Sequence, residues 1–126
     1  LDLDHFKRIT DQFGPRVGDL VLERFAEVCR RHLSGQDFAA RLGGEEFMVV
    51  LPVSDPEEAS NLVEGILLGM RSQRFKDAPG LCVTVSAGLA MYRGEETPDQ
   101  IILRADQALY QAKESGRDKL VVERGA

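Results

Sequence analysis

The densest chemical feature of the chain is Gly43-Gly44-Glu45-Glu46, followed by Phe47. Glycines allow positive φ and let another backbone or a ligand come within contact distance. Adjacent carboxylates repel at a turn, and such a tip taken alone fits a solvated acidic hairpin better than a site. A second acidic cluster, Asp2 and Asp4, shifts that balance. Side chains alternate along a strand, so one of these carboxylates can face the hairpin. A strand-end Asp beside a hairpin-tip Glu makes an oxygen cage suited to Mg²⁺, which keeps waters and takes phosphate oxygens as further ligands. Asp4 is expected to act instead as N-cap of the helix starting at His5, with His5 exposed rather than a ligand.

Three cations complement these carboxylates. Lys7 lies one turn into that first helix, where outward-pointing backbone N–H groups can cradle phosphates. Lys113 and Arg117 bracket the end of the last helix, a place the helix dipole favours for cations whatever the function. Together, carboxylates for a metal and dispersed cations describe a nucleoside triphosphate site. No glycine-rich phosphate loop ending in Gly-Lys-Ser/Thr is present, so the P-loop class is excluded.

The elements that must position these groups follow from periodicity. Leu1–Asp4 reads as a strand end, and His5–Thr10 as a short helix closed by Gln12-Phe13-Gly14-Pro15. Asp19 is the expected N-cap of an amphipathic helix burying Val21, Leu22, Phe25, Ala26, Cys29 and Leu33. Phe38–Leu42 and Phe47–Leu51 form a hairpin around the acidic tip. A helix carrying Ala59, Leu62, Val63, Ile66, Leu67 and Met70 follows, then a polar loop over Arg71–Gly80. Leu81–Met91 alternates as a strand, Thr97-Pro98 opens a last helix stopped by Gly116, and Lys119–Glu123 closes the fold. The order βααββαβαβ predicts an α+β sandwich: a mostly antiparallel sheet flanked by helices, related to the ferredoxin-like split βαβ theme.

At 126 residues the chain is one domain, 1–126, long enough to bury about two-thirds of its unfolded surface. An apolar content of 43% with 29% charged residues argues against disorder. Sixteen basic against twenty-one acidic residues, a net −5, argue against wrapping a nucleic-acid backbone, while a small anion held by local cations stays allowed. No apolar run approaches the roughly 20 residues that span a bilayer, so no membrane contact by this domain is expected. Cys29 and Cys82 both sit among apolar residues without metal-ligand spacing and read as buried thiols of a cytosolic protein. Leu1 is no start methionine, and the chain reads as an amino-terminally incomplete excerpt of a longer protein.

Five ordered motifs then resemble the GGDEF domain, the diguanylate cyclase catalytic domain of bacterial signalling proteins. They are Asp2-Leu3-Asp4-His5-Phe6-Lys7, Phe13-Gly14 with Gly18-Asp19, Ala40–Phe47, Val83–Gly88, and Ala105–Arg117. The resemblance implies a fold like the palm of nucleotide cyclases and polymerases. It implies condensation of two GTP to cyclic di-GMP with release of two pyrophosphates. Each subunit of a homodimer would hold one GTP, with the two sites facing each other. An upstream sensory or regulatory domain and a cytoplasmic location are implied too, whether or not the parent is membrane-anchored.

Carried over position by position, Asp2, the Leu3 carbonyl, Glu45 and Glu46 match metal ligands for Mg²⁺ or Mn²⁺. Glu45 also matches the acceptor of the 3′-hydroxyl proton, so Glu45, Glu46 and Lys7 form the implied catalytic set. Phe6, Lys7, Gly43, Gly44, Lys113 and Arg117 match phosphate-binding positions, and Asp19 the carboxylate that takes the guanine edge. Thr10 stands where the family usually has a guanine-binding asparagine, and Pro15 replaces a common histidine. A threonine hydroxyl lacks an amide's paired donor and acceptor, a loss worth about 1–2 kcal/mol. The product-inhibition motif Arg-x-x-Asp reads Ser34-Gly35-Gln36-Asp37, so only Asp37 remains and feedback at this site is expected to be lost or weak. A second family arginine is also missing, with Gly65 near its place. Two alternatives stand beside an active cyclase: a weak or inactive GGDEF module that binds GTP and signals by contact, and a cyclase of altered purine choice.

Overall fold

The computed structural model describes residues 1–53 and 55–123. Ser54 and residues 124–126, which belong to the one-domain reading, lie outside the described residues. The elements are β1 (Asp2–Leu3), α1 (Phe6–Phe13), α2 (Pro15–His32), β2 (Phe38–Gly43), β3 (Glu46–Val50), α3 (Pro56–Arg71), β4 (Val85–Ala90), α4 (Pro98–Glu114) and β5 (Leu120–Glu123). The strands form one sheet in the order β2-β3-β1-β4-β5. Every pairing is antiparallel except β4 with β5, as expected for an α+β sandwich.

β1 is short but central. Its register aligns Asp2 with Glu46 on one side and with Ser86 on the other, and Leu3 with Val85. Because side chains alternate, Leu3, Val85 and Phe47 face one layer while Asp2, Glu46 and Ser86 face the other. The first layer is the main core, where α2 and α3 bring Val21, Phe25, Val28, Ile66, Leu67 and Met70 against the sheet. Phe25 meets Phe47 edge to face with ring centroids 4.7 Å apart. The second layer is α4, with Ala108 and Ala112 buried beneath it. Its approach is so close that a Cβ built on Gly88 would lie 2.3 Å from the Ala105 carbonyl oxygen.

Several local expectations change. α2 begins at Pro15, with Gly14 as its N-cap at φ 94°, so Asp19 is an exposed residue inside the helix and not its cap. Pro15 has its structural reason in that first-turn position, where no backbone donor is needed. β4 starts at Val85 rather than Leu81, because β1 offers no partner beyond the Asp4 N–H bond to the Thr84 carbonyl at 2.9 Å. Cys82 is therefore exposed, against expectation. Cys29 is buried, and burial pushes its thiol up to about 11. The Arg71–Gly80 loop is not simply polar: Phe75 and Ala78 are buried, and the Arg24 guanidinium lies 5.1 Å from the Phe75 ring centroid. α4 buries less than its apolar stripe predicts, leaving Ile102 exposed. Its start matches expectation, with Thr97 and Gln100 completing a capping box. No helix among the described residues is long and apolar enough to cross a membrane.

Candidate active site

The carboxylates meet on the α4 side of the sheet. Asp2 and Glu46 stand directly opposite each other on β1 and β3. Like charges in a cross-strand pair repel and call for a cation between or beside them. Lys113, in the last turn of α4, supplies one: its Nζ donates to Asp2 Oδ2 at 2.5 Å. Asp2 is only 4% exposed, so this ammonium balances a carboxylate that water barely reaches. Glu46 is exposed, and its carboxylate makes no hydrogen bond or ion pair among the described residues.

Glu45 is half-buried at the turn, and its carbonyl accepts from the Leu3 N–H at 3.2 Å, tying the hairpin tip to β1. Of the two glycines only Gly44 uses positive φ, at 52°. Arg41 Nε fastens that tip by donating to the Gly44 carbonyl at 2.8 Å. A Cβ on Gly43 would meet nothing within 4 Å, so the space above it is open.

α1 presents its N-terminus without a side-chain cap. The expected cap, Asp4, does other work, and His5 takes the N-cap position in the left-handed region at φ 57°. Asp4 is buried because it accepts three hydrogen bonds, from Thr84 Oγ1 at 2.7 Å, Ser86 Oγ at 2.6 Å and the Asp118 N–H at 3.0 Å. His5 is exposed, as expected. The first N–H groups of α1, at Phe6 and Lys7, are thus left without a side-chain cap among the described residues. Lys7 itself is exposed and forms no ion pair among the described residues.

Thr10 packs against α2 at Gly18, the position before Asp19. A Cβ on Gly18, the neighbour of Asp19, would lie 2.4 Å from Thr10 Cγ2. The Thr10 hydroxyl donates back to the Lys7 carbonyl at 2.8 Å, so its one proton is spent locally. Asp37 accepts from the Ser34 N–H at 2.7 Å and serves its own turn. Arg117 is exposed at φ 64°, just past α4. No hydrogen bond or ion pair joins Lys7, Thr10, Asp19 or Arg117 to the Asp2–Glu46 pair among the described residues.

Thr84, Ser86, Asp118 and Arg71 were not among the expected site residues. The two hydroxyls carry a sequence signal, since they alternate with Val83, Val85 and Ala87 and must face away from that apolar side. Arg71 and Asp118 carry none, being 47 residues apart.

No three His, Cys, Asp or Glu side chains among the described residues gather closely enough to cage a metal by themselves. Mg²⁺ requires only one or two carboxylates when phosphates and waters supply the rest. A buried Asp2 that already holds a cation, with Glu46 opposite it, is a donor set that fits such an ion.

A mixed sheet between helical layers, with a cation-balanced carboxylate on its central strand and a second carboxylate opposite it on the next strand, defines a palm-like α+β domain. The chain belongs to the GGDEF family: the family described as "Diguanylate cyclase, GGDEF domain" matches residues 1–119. It is 46% identical over 124 residues to diguanylate cyclase DgcP of Pseudomonas aeruginosa, and 39% identical over 125 to the response regulator PleD of Caulobacter vibrioides. Those matches cover 97% and 96% of this chain but only 18% and 28% of the relatives, so it spans less than a third of either. Among solved structures, the GGDEF domain of DgcB from Caulobacter crescentus, in complex with c-di-GMP, superposes with a TM-score of 0.93 at 32% identity. That match covers 98% of this chain and 75% of the other. The active GGEEF domain of a diguanylate cyclase from Vibrio cholerae gives 0.90 at 35% identity, covering 99% and 80%.

Proposed function

We propose that this domain is a diguanylate cyclase, condensing two GTP into cyclic di-GMP and two pyrophosphates where two copies face each other. The observation that carries this reading is the Asp2–Glu46 cross-strand pair with Lys113 on Asp2. Diguanylate cyclases need a divalent metal, and here Asp2, the Leu3 carbonyl, Glu45 and Glu46 would hold Mg²⁺ or Mn²⁺. Such an ion neutralises phosphate charge and makes the ribose 3′-hydroxyl easier to deprotonate.

The protein groups divide the remaining work. Glu45, without a side-chain hydrogen bond or ion pair of its own among the described residues, takes the 3′-hydroxyl proton. Lys7 and the uncapped Phe6 and Lys7 amides hold the β- and γ-phosphates at the start of α1, where the dipole favours anions. Lys113 and Arg117 supply further positive charge at the end of α4, and the Gly43-Gly44 backbone leaves room for the phosphates. Asp19 accepts from the guanine edge. With one nucleotide per copy, each 3′-oxygen attacks the α-phosphate of the other, so pairing of copies controls turnover. An upstream sensory or regulatory domain would govern that pairing. Feedback at the Ser34–Asp37 turn is weak or absent in this reading.

Thr10 favours the second reading, a GTP-binding module that signals without turnover, because its only donor is already committed to the Lys7 carbonyl. Incubating the intact parent protein with Mg²⁺ or Mn²⁺ and GTP, with and without ATP, separates the two. Cyclic di-GMP is the expected product. GTP binding without product at high protein concentration would establish the module instead, and a product containing adenine would show altered purine choice. Thr10→Asn is expected to tighten GTP binding by roughly 1–2 kcal/mol, about five- to thirty-fold, by restoring an amide's donor and acceptor. Unchanged affinity in calorimetry would remove Thr10 from the base site.

A further inference from the structure

Three successive residues after α4 take positive φ: Gly116 at 116°, Arg117 at 64° and Asp118 at 51°. For glycine this is free, but for two consecutive side-chain-bearing residues it is unfavourable and persists only when the surroundings impose it. The imposing groups are visible. Asp4 Oδ2 accepts from the Asp118 N–H at 3.0 Å, and Arg71 grips the Asp118 carboxylate with two nitrogens, Nη2 at 2.8 Å and Nε at 3.1 Å to Oδ1. The Arg117 N–H donates to the Ala112 carbonyl at 2.9 Å, closing the turn onto the end of α4.

The result is a loop held at Asp118 from two sides, with the Arg117 side chain exposed and free of ion pairs among the described residues. Asp4 is itself locked by Thr84 and Ser86 of the β4 segment. We infer that Arg71 and Asp4, acting through Asp118, are positioning residues that aim Arg117 at the triphosphate. Arg71 sits at the end of α3, so the orientation of a phosphate-binding arginine depends on a helix that contributes no group to the proposed site. A planar guanidinium suits this task because its two-point grip fixes direction as well as distance.

The inference rests on the reading of this domain as a GTP binder, and the test keeps the two apart. Affinities of the full-length parent for Mg²⁺-GTP and Mg²⁺-GMP are measured by calorimetry for wild type, Arg71→Met, Arg117→Met and the double variant. Arg71→Met is expected to weaken GTP roughly tenfold, as for loss of one charge-assisted contact, while GMP, lacking the β- and γ-phosphates, changes less than about twofold. In the Arg117→Met background the Arg71 substitution should add almost nothing. Equal weakening of GTP and GMP, an unaltered GTP affinity, or full additivity of the two substitutions would each overturn it. Asp118→Asn, which keeps a residue tolerant of the left-handed region but drops the charge, should reproduce the effect even if Arg71→Met folds poorly. Failure of the wild type to bind GTP would instead remove the GTP reading, and this inference with it.

Discussion

Glu45→Gln should leave the fold and its melting temperature in place while cutting cyclic di-GMP formation by about 10²- to 10⁴-fold, the usual share of a positioned proton acceptor. The structure supplies the reason for expecting so clean a separation. The Glu45 backbone is structural, since its carbonyl accepts from the Leu3 N–H, but its side chain has no hydrogen bond or ion pair to lose among the described residues. Glutamine keeps the shape and the backbone bond and removes the negative charge, and with it both the basic oxygen and an anionic ligand for the metal. Surface substitutions of that kind typically change stability by less than about 0.5 kcal/mol. The measurement is initial rate against GTP at saturating Mg²⁺, beside a thermal melt of the same preparation. Retention of more than a tenth of the wild-type rate would show that another group, or solvent, takes the proton.

The largest effect on stability is expected at Gly88. An added Cβ would sit 2.3 Å from the Ala105 carbonyl oxygen, 2.4 Å from the Leu109 nitrogen and 3.0 Å from the Ala108 carbonyl carbon. All three are backbone atoms of α4, so no rotamer change relieves the clash and the helix itself must move. Overpacking of this kind costs about 3 kcal/mol, near the upper end of the usual range. In a domain of this size that lowers the melting temperature by roughly 10 °C. Because α4 carries Lys113, displacement of the helix also pulls the ammonium from Asp2, and GTP affinity should fall with stability. Gly35→Ala is the matched control: nothing lies within 4 Å of a Cβ there, and its melt should stay within a degree or two of wild type. A Gly88→Ala protein as stable as that control would mean that α4 packs less tightly on β4 than the geometry requires.

Both predictions depend on how local patterns were combined by the fold. The helical stripes in α2 and α3 were legible because an apolar residue every three or four positions has only one low-energy use, burial against a sheet. The hairpin was legible from its glycines and the apolar runs beside them. At Asp4 local chemistry and tertiary packing point to different roles. An aspartate before a helix is a good cap on local chemistry alone, and only the arrival of Thr84, Ser86 and the Asp118 amide from 80 to 114 residues away outbids that role. Cys82 shows the same conflict: the alternation from Leu81 onward is real, but a strand needs a partner, and β1 runs out after Leu3.

Gly43-Gly44-Glu45-Glu46 and Asp2 already identify, by residue type and spacing, an acidic turn and an acidic strand end able to hold a hard cation. The ordered motifs around them are dense enough to indicate the family without coordinates. Period-two alternation even implies that Asp2 and Asp4 share a face that Leu3 does not. What alternation cannot supply is register between strands, or which helix covers which face, because those depend on packing between segments far apart in the chain. Tertiary structure alone sets Asp2 opposite Glu46, lays Lys113 across 111 residues onto that carboxylate, and lets Arg71 hold the turn that presents Arg117. Local sequence assigns the chemistry of each group; the packing of α4 and α3 against the sheet decides which groups act together.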